Sequence, residues 1–204
     1  MEFSFGVIIL AAGGSTRMGR AKLLLPWGET TVLGHLLRLW TELGARQTGV
    51  VCAADASAIR EELARLRFPD EQRIVNPAPE RGMFGSIRCA AAWPGWNLEL
   101  THWVITLGDQ PHLQRETLRR LLDFGRANPD RVCQPLRGGR RRHPVLLPRR
   151  EFAELKTTSA ADLKQFLAER ETQPAGFESA DAGLDFDMDT PADYERARKL
   201  AEQD

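Results

Sequence analysis

Cysteine is scarce in this sequence, and an excess of charge of one sign is missing from it. Only three cysteines occur among 204 residues, Cys52, Cys89 and Cys133. They are odd in number, far apart, and lack the CxxC or Cys/His spacing that holds zinc or a redox disulfide, so they read as reduced core residues of a cytoplasmic protein. The 28 Lys and Arg are balanced by 28 Asp and Glu. That balance excludes a global field able to gather a polyanion, and nucleic acid is not an expected partner. The apolar run from Val7 to Ala12 is short, follows no basic segment and leads into glycines, which argues against both a signal peptide and a membrane anchor. There is no Pro/Gly/Ser-rich linker, internal repeat or low-complexity stretch. One domain spanning 1–204 is the expectation, with an ordinary soluble composition of 42% apolar and 27% charged residues.

What is present is an alternation of short buried strands with amphipathic helices. Phe5 to Leu10 (FGVIIL) is a continuous β-branched run suited to a central parallel strand buried on both faces. Leu33, Leu36, Leu37, Trp40 and Leu43 recur at helical spacing, predicting a helix over about Thr31 to Leu43 that Gly44 ends. Gly49 to Ala53, Ile74–Val75 and Trp103 to Leu107 read as further strands. Ile59/Leu63/Leu66, Ser86 to Ala92, Leu118/Leu121/Leu122 and Leu163/Phe166/Leu167 mark helices. Val132 to Leu136 and Val145 to Leu147 are candidate strands around an arginine turn. Thr190, Pro191 and Asp193 form an N-cap, N1 proline and acidic N3 residue before a C-terminal helix. Repeated βα units imply an α/β fold: a three-layer α/β/α sandwich around a mostly parallel, Rossmann-like sheet.

Such sheets bind ligands at the carboxyl ends of their strands, so the residues after Leu10 and Leu107 belong to the expected site. After Leu10 come Ala11, Ala12, Gly13, Gly14, Ser15, Thr16, Arg17, Met18, Gly19, Arg20, Ala21 and Lys22. Glycines let backbone N–H groups approach phosphate oxygens, Ser15 adds a donor, and Arg17 with Lys22 supplies charge. An ordinary strand-to-helix turn is the plainer alternative. Gly14 to Gly19 has the Walker spacing but is followed by Arg20–Ala21, and no GxGxxG is present, so neither familiar phosphate fingerprint applies. The run Arg137, Arg140, Arg141, Arg142, Arg149, Arg150 reads equally as a solvated face or a cationic surface, and it lacks the interleaved aromatics of a nucleic-acid module.

The stretch LAAGGSTRMGRAKLLLPWG, Leu10 to Gly28, resembles the signature of the MobA-like nucleotidyltransferases, and its LAAG start is similar to the molybdenum cofactor cytidylyltransferase branch. The resemblance continues through Asn76–Pro77 and Gly82-Met83-Phe84-Gly85-Ser86-Ile87-Arg88, through Leu107-Gly108-Asp109-Gln110-Pro111, and through Asp187-Met188-Asp189-Thr190-Pro191. It thus runs from Val7 to Tyr194.

The fold it implies is of the nucleotide-diphospho-sugar transferase type. The activity it implies is transfer of CMP from CTP, or of a nucleotide from another NTP, to the terminal phosphate of a molybdenum-pterin acceptor, with loss of pyrophosphate. Leu10, Ala11, Ala12, Gly13, Gly14, Ser15, Arg17, Lys22, Asn76, Gly82 and Ser86 would bind nucleotide. Lys22, Arg17 and Asp109 would be catalytic, and Asp109 with Asp187 would hold Mg²⁺, a hard ion served by one or two carboxylates plus substrate oxygens.

Asp185, Asp187 and Asp189 alternate at strand spacing and so could point the same way, which leaves the metal ligand among them open on pattern alone. The resemblance selects Asp187, with Asp189 next. The family's GHP is replaced here by Arg142-His143-Pro144, so Arg142 and His143 are candidate acceptor contacts. A molybdoenzyme or its maturation chaperone would be the protein partner. Two other readings compete: a nucleotidyltransferase acting on a sugar or isoprenoid phosphate, and a non-enzymatic carrier of a pterin cofactor.

Overall fold

The structure, a computed structural model, describes residues 2–13 and 21–202. Its strands are β1 (Phe5–Leu10), β2 (Pro26–Trp27), β3 (Thr30–Thr31), β4 (Gln47–Ala53), β5 (Arg73–Asn76), β6 (His102–Leu107), β7 (Cys133–Arg137), β8 (Arg140–Arg141), β9 (Val145–Pro148) and β10 (Ala175–Glu178). Its α-helices are α1 (Val32–Glu42), α2 (Ser57–Arg65), α3 (Gly82–Ala92), α4 (Arg115–Ala127), α5 (Arg149–Glu154), α6 (Leu163–Ala168) and α7 (Pro191–Ala201).

The main sheet runs β10-β7-β9-β6-β1-β4-β5. β1 lies parallel to both β4 and β6, β4 to β5, and β10 to β7. β9 alone on this path runs antiparallel, to β6 and β7. The expected mostly parallel sheet is therefore mixed in its second half. β7 turns back into β8 through Gly138–Gly139, at φ +56° and +72°, a conformation that suits a two-residue hairpin.

Alternation along the strands divides the core into two layers. Val7, Ile9, Val50 and Val104 face Leu33, Leu36 and Trp40 of α1 and Leu118 and Leu121 of α4. Ile8, Val51, Ile105 and Val145 face Ile87 of α3, Phe152 of α5 and Phe166 of α6. This is the three-layer arrangement expected from the sequence. Trp96 lies in the second layer, its indole N–H donating to the Ala90 carbonyl at 2.8 Å.

Local signals explain the helix ends nearest the site. Thr31 caps α1 by accepting from Gly34 N. Thr190 and Asp193 form a reciprocal capping box at α7. α3 begins at Gly82, four residues before the expected start, and its N-terminus has no side-chain cap. No helix among the described residues is long and apolar enough to cross a membrane.

Candidate active site

The carboxyl ends of β1 and β6 lie side by side, with Leu10 opposite Leu107 in the parallel ladder. A cleft of about 390 Å³ opens there, lined by Leu10, Ala12, Gly13, Lys22, Asp109 and Asp187, with Gly82, Met83 and Ser86 on its far side. Leu23, Pro79, Leu107 and Gly108 complete the wall. Gly108 is required by close approach: a Cβ there would stand 2.6 Å from the Leu10 carbonyl oxygen and 2.9 Å from Leu23 Cδ2. Any side chain at this position would force the ends of β1 and β6 apart.

The far wall is the uncapped start of α3. Backbone N–H groups of a first helical turn have no partner within the helix and carry partial positive charge, so a helix N-terminus favours an anion such as a phosphate. Ser86 is fixed there by Asn76, whose amide donates to Ser86 Oγ at 2.9 Å and accepts from Ala78 N at 2.9 Å. Asn76 is 1% exposed and stands behind the cleft wall, supporting Ser86. Ala11 also stands behind the surface: its N–H is committed to the Val51 carbonyl at 2.8 Å. Of the sequence-expected nucleotide contacts, Leu10, Ala12, Gly13, Lys22, Gly82 and Ser86 line the cleft directly. Gly14, Ser15 and Arg17 lie outside the described residues.

Asp109 follows β6, while Asp187 sits on the strap between β10 and α7. Several contacts hold that strap against the segment that follows β6. Met188 N donates to the Asp109 carbonyl at 3.1 Å. Asp181 accepts from Gln114 N at 2.9 Å and from Gly183 N at 2.8 Å. His112 stacks on Phe186 with ring centroids 4.3 Å apart.

The three alternating aspartates do not point the same way, because residues 182–185 form a 3-10 turn and not a strand. Asp185 pairs with Arg137 at 3.1 Å and Arg142 at 2.8 Å, and the Arg137 hydrogen bond outweighs desolvation to hold its carboxyl below the usual range. Asp187 faces the cleft and accepts from Gln110 Nε2 at 2.9 Å. Asp189 meets Lys22 Nζ at 2.5 Å, and the same ammonium lies 3.4 Å from Asp109 Oδ2.

Burial raises the Asp109 carboxyl, the Asp187 charge adds to the rise, and Lys22 opposes both. Asp187 is raised by burial and by Asp189, against the Gln110 hydrogen bond and the Lys22 charge. Burial pulls the Lys22 ammonium down, but the Asp189 hydrogen bond and the charges of both aspartates outweigh it, so it is raised. The part-buried Asp109 and the more exposed Asp187, whose charge disfavours ionisation of Asp109, offer oxygen donors only and fit a hard divalent cation that takes its remaining ligands from water and substrate phosphates. Among the described residues no group of three or more His, Cys, Asp or Glu could form a full protein cage.

Sequence reasoning missed Gln110, although its place directly after Asp109 and a buried strand was the available signal. It also missed the pairing of Asp189 with Lys22, which joins residues 167 positions apart. Arg142 and His143 lie away from the nucleotide cleft, in a neighbouring cavity that Gln110 also lines and that shares Leu107 and Asp187 with the cleft.

Comparison with known proteins places the chain in a family and a fold. A family model, the MobA-like NTP transferase domain, matches residues 7–174. The molybdenum cofactor cytidylyltransferase of Escherichia coli (strain K12) is 27% identical over 196 residues, covering 94% of each chain. The crystal structure of Rv0371c from Mycobacterium tuberculosis H37Rv in complex with manganese superimposes with a TM-score of 0.71 at 28% identity, over 96% of this chain and 98% of that one. A nucleotidyl transferase from Methanothermobacter shares the fold, with a TM-score of 0.79 at 20% identity over 98% of this chain and 99% of that one.

Proposed function

Since the chain belongs to the MobA-like NTP transferase family and is a nucleotidyltransferase, we propose that it transfers CMP from CTP to the terminal phosphate of a molybdenum-bound pterin. The observation that carries the chemistry is the gathering of Asp109, Asp187 and Lys22 on one wall of the cleft, with Lys22 paired to Asp109 and Asp189, across from the start of α3. The choice of cytidine and of pterin is supported by Ala12 in the LAAG loop and by likeness to the cytidylyltransferase along 94% of both chains.

An acceptor phosphate oxygen forms a bond to the α-phosphorus of CTP, the bond from that phosphorus to the β-phosphate bridge breaks, and pyrophosphate leaves. No protein base is needed, since the second ionisation of a phosphate monoester has a pKa of about 6 and the acceptor is already nucleophilic near neutrality. The protein's contribution is positioning and neutralisation of charge. Lys22, with Arg17 earlier in the same loop sequence, neutralises charge on the departing phosphates. The start of α3 and the loop at Gly13, Gly14 and Ser15 receive phosphate oxygens. Asp109 and Asp187 would hold Mg²⁺, which when bound supplies neutralisation of the α- and β-phosphate oxygens. Gln110 holds the Asp187 carboxylate in place through its 2.9 Å hydrogen bond.

Mass spectrometry of a reaction containing CTP, Mg²⁺ and molybdenum-loaded pterin tests this reading. The expected product is the pterin with one added CMP. A cytidylylated sugar or isoprenoid phosphate from parallel reactions, with the pterin unmodified, would overturn the acceptor.

A further inference from the structure

Asp189 meets Lys22 but stands outside the cleft: the described residues that line it include Lys22, Asp109 and Asp187, and Asp189 is not one of them. It reaches the site through the ammonium. Nor does Asp189 join the two cleft carboxylates in a protein cage, since among the described residues no group of three or more His, Cys, Asp or Glu could hold an ion. Another task must account for a carboxylate oxygen 2.5 Å from Lys22 Nζ.

Both partners sit on fixed frames. Lys22 opens a 3-10 turn, Lys22–Leu24, whose Leu23 is buried, and the next residue, Leu25, accepts from Val32 N at 2.9 Å at the start of α1. Asp189 precedes the capping box of α7, and its N–H donates to the Asp187 carbonyl at 3.0 Å. Tyr194 of α7 donates through its hydroxyl to the Pro26 carbonyl, and its ring centroid lies 6.3 Å from that of Trp27. The segment that begins at Lys22 is thus tied to the start of α7 by this contact as well as by the ion pair. Asp189 and Tyr194 lie beyond residues 7–174, the span that the family model matches.

The distances apportion the ammonium between two anions. Lys22 Nζ lies 2.5 Å from Asp189 Oδ1 and 3.4 Å from Asp109 Oδ2, so the closer attraction is to the carboxylate outside the cleft. An ammonium seated on Asp109 would compete with a divalent cation for the same oxygens and repel it. Lysine carries a compact charge on a flexible stem, so the anion that holds it decides where that charge stands.

We propose that Asp189 is a positioning residue: it holds the Lys22 ammonium off Asp109, so that Asp109 stays open to a divalent cation and the ammonium stays at the cleft wall for the phosphates. Asp189 itself bonds to neither. Loss of its charge would let Lys22 settle on Asp109 and weaken the cation there. The proposal rests on the nucleotidyl-transfer reading for the metal and the phosphates.

Equilibrium binding of Mn²⁺ to the full chain tests it without turnover, in the presence of a CTP analogue with a methylene bridge between its α- and β-phosphorus, followed by the electron paramagnetic resonance of unbound Mn²⁺. Asp189→Asn keeps the shape of a side chain that is 44% exposed, so the fold should tolerate it. It should weaken Mn²⁺ about tenfold, as loss of a group that orients a metal site does. In a Lys22→Met background, where no ammonium can settle on Asp109, the same substitution should change the affinity by less than about threefold. A loss of more than about threefold in the Lys22→Met chain, which would make Asp189 act on the metal directly, or of less than about threefold in Asp189→Asn alone, would overturn the proposal. Failure of the transfer reading shows separately, as a wild-type chain that binds Mn²⁺ and the analogue yet releases no pyrophosphate from any NTP.

Discussion

Gln110 Nε2 donates to Asp187 Oδ1 at 2.9 Å, so the residue that follows one cleft carboxylate holds the other in place. The two carboxylates come from distant parts of the chain, and this hydrogen bond together with the Met188 N to Asp109 carbonyl bond sets their relation. A hydrogen bond to a charged group is worth about 1.5–3 kcal/mol. Gln110→Leu should therefore lower the rate by about ten- to a hundredfold and raise the Mg²⁺ concentration needed for half-maximal rate. Thermal stability should change little, because the leucine also removes the unpaired Gln110 Oε1. Initial rates across a Mg²⁺ series check this, and an unchanged Mg²⁺ dependence would contradict the positioning role.

Lys22 is the described cation nearest both Asp109 and Asp189. Removing a cation directed at developing charge costs on the order of a hundredfold or more in rate. Lys22→Ala should show that loss in kcat/KM for CTP with the fold intact by circular dichroism. A loss under about threefold would place the charge elsewhere.

Gly108 tests the close approach of β1 and β6. A methyl group there meets backbone, which cannot rotate away. Gly108→Ala should destabilise by about 1–3 kcal/mol, read as a lower urea midpoint, with weaker CTP binding. A midpoint equal to wild type would show that the strand ends can separate freely.

Stability should also depend on pH through histidine. All four histidines, His35, His102, His112 and His143, are held below the ordinary value of 6.5, with burial the main cause in each. His102 and His112 contact the Pro129 and Gly183 carbonyls at 2.9 and 3.2 Å, which opposes the shift without cancelling it. A depressed folded-state value leaves stability complete above 6.5 and removes it as pH falls from there toward the folded value, because the unfolded chain takes up protons first. The urea midpoint should thus decline between about pH 7 and pH 5. A midpoint that is flat or rises over that range would contradict the assignment.

The sequence made the first half of the sheet legible because its strands are buried on both faces and its helices are striped. FGVIIL, a β-branched apolar run followed by glycines, suits the central strand it forms, and Leu33, Leu36 and Trp40 occupy the inner face of α1 as their spacing requires. The second half was less legible for physical reasons. Val145–Pro148 is a short apolar run whose periodicity carries no direction, so its antiparallel placement between β6 and β7 left no trace. Ala175–Glu178 is four residues with a glycine, below any strand signal. Arg149 was grouped with a basic run, yet it opens α5 and donates to the Leu98 and Leu100 carbonyls. At the site, Asp109 stood out by following a buried strand. The aspartates at 185, 187 and 189 could not be separated, because a 3-10 turn breaks the alternation on which strand reasoning relies.

The central claim is tested most directly by pyrophosphate release from CTP, GTP, ATP and UTP in turn, with Mg²⁺ and molybdenum-loaded pterin, using the wild-type chain and Asp109→Ala. The account predicts turnover with CTP above the other three and its loss by a hundredfold or more, on the order expected for a metal ligand, in the variant. Equal release from all four nucleotides, or full activity in Asp109→Ala, would contradict it.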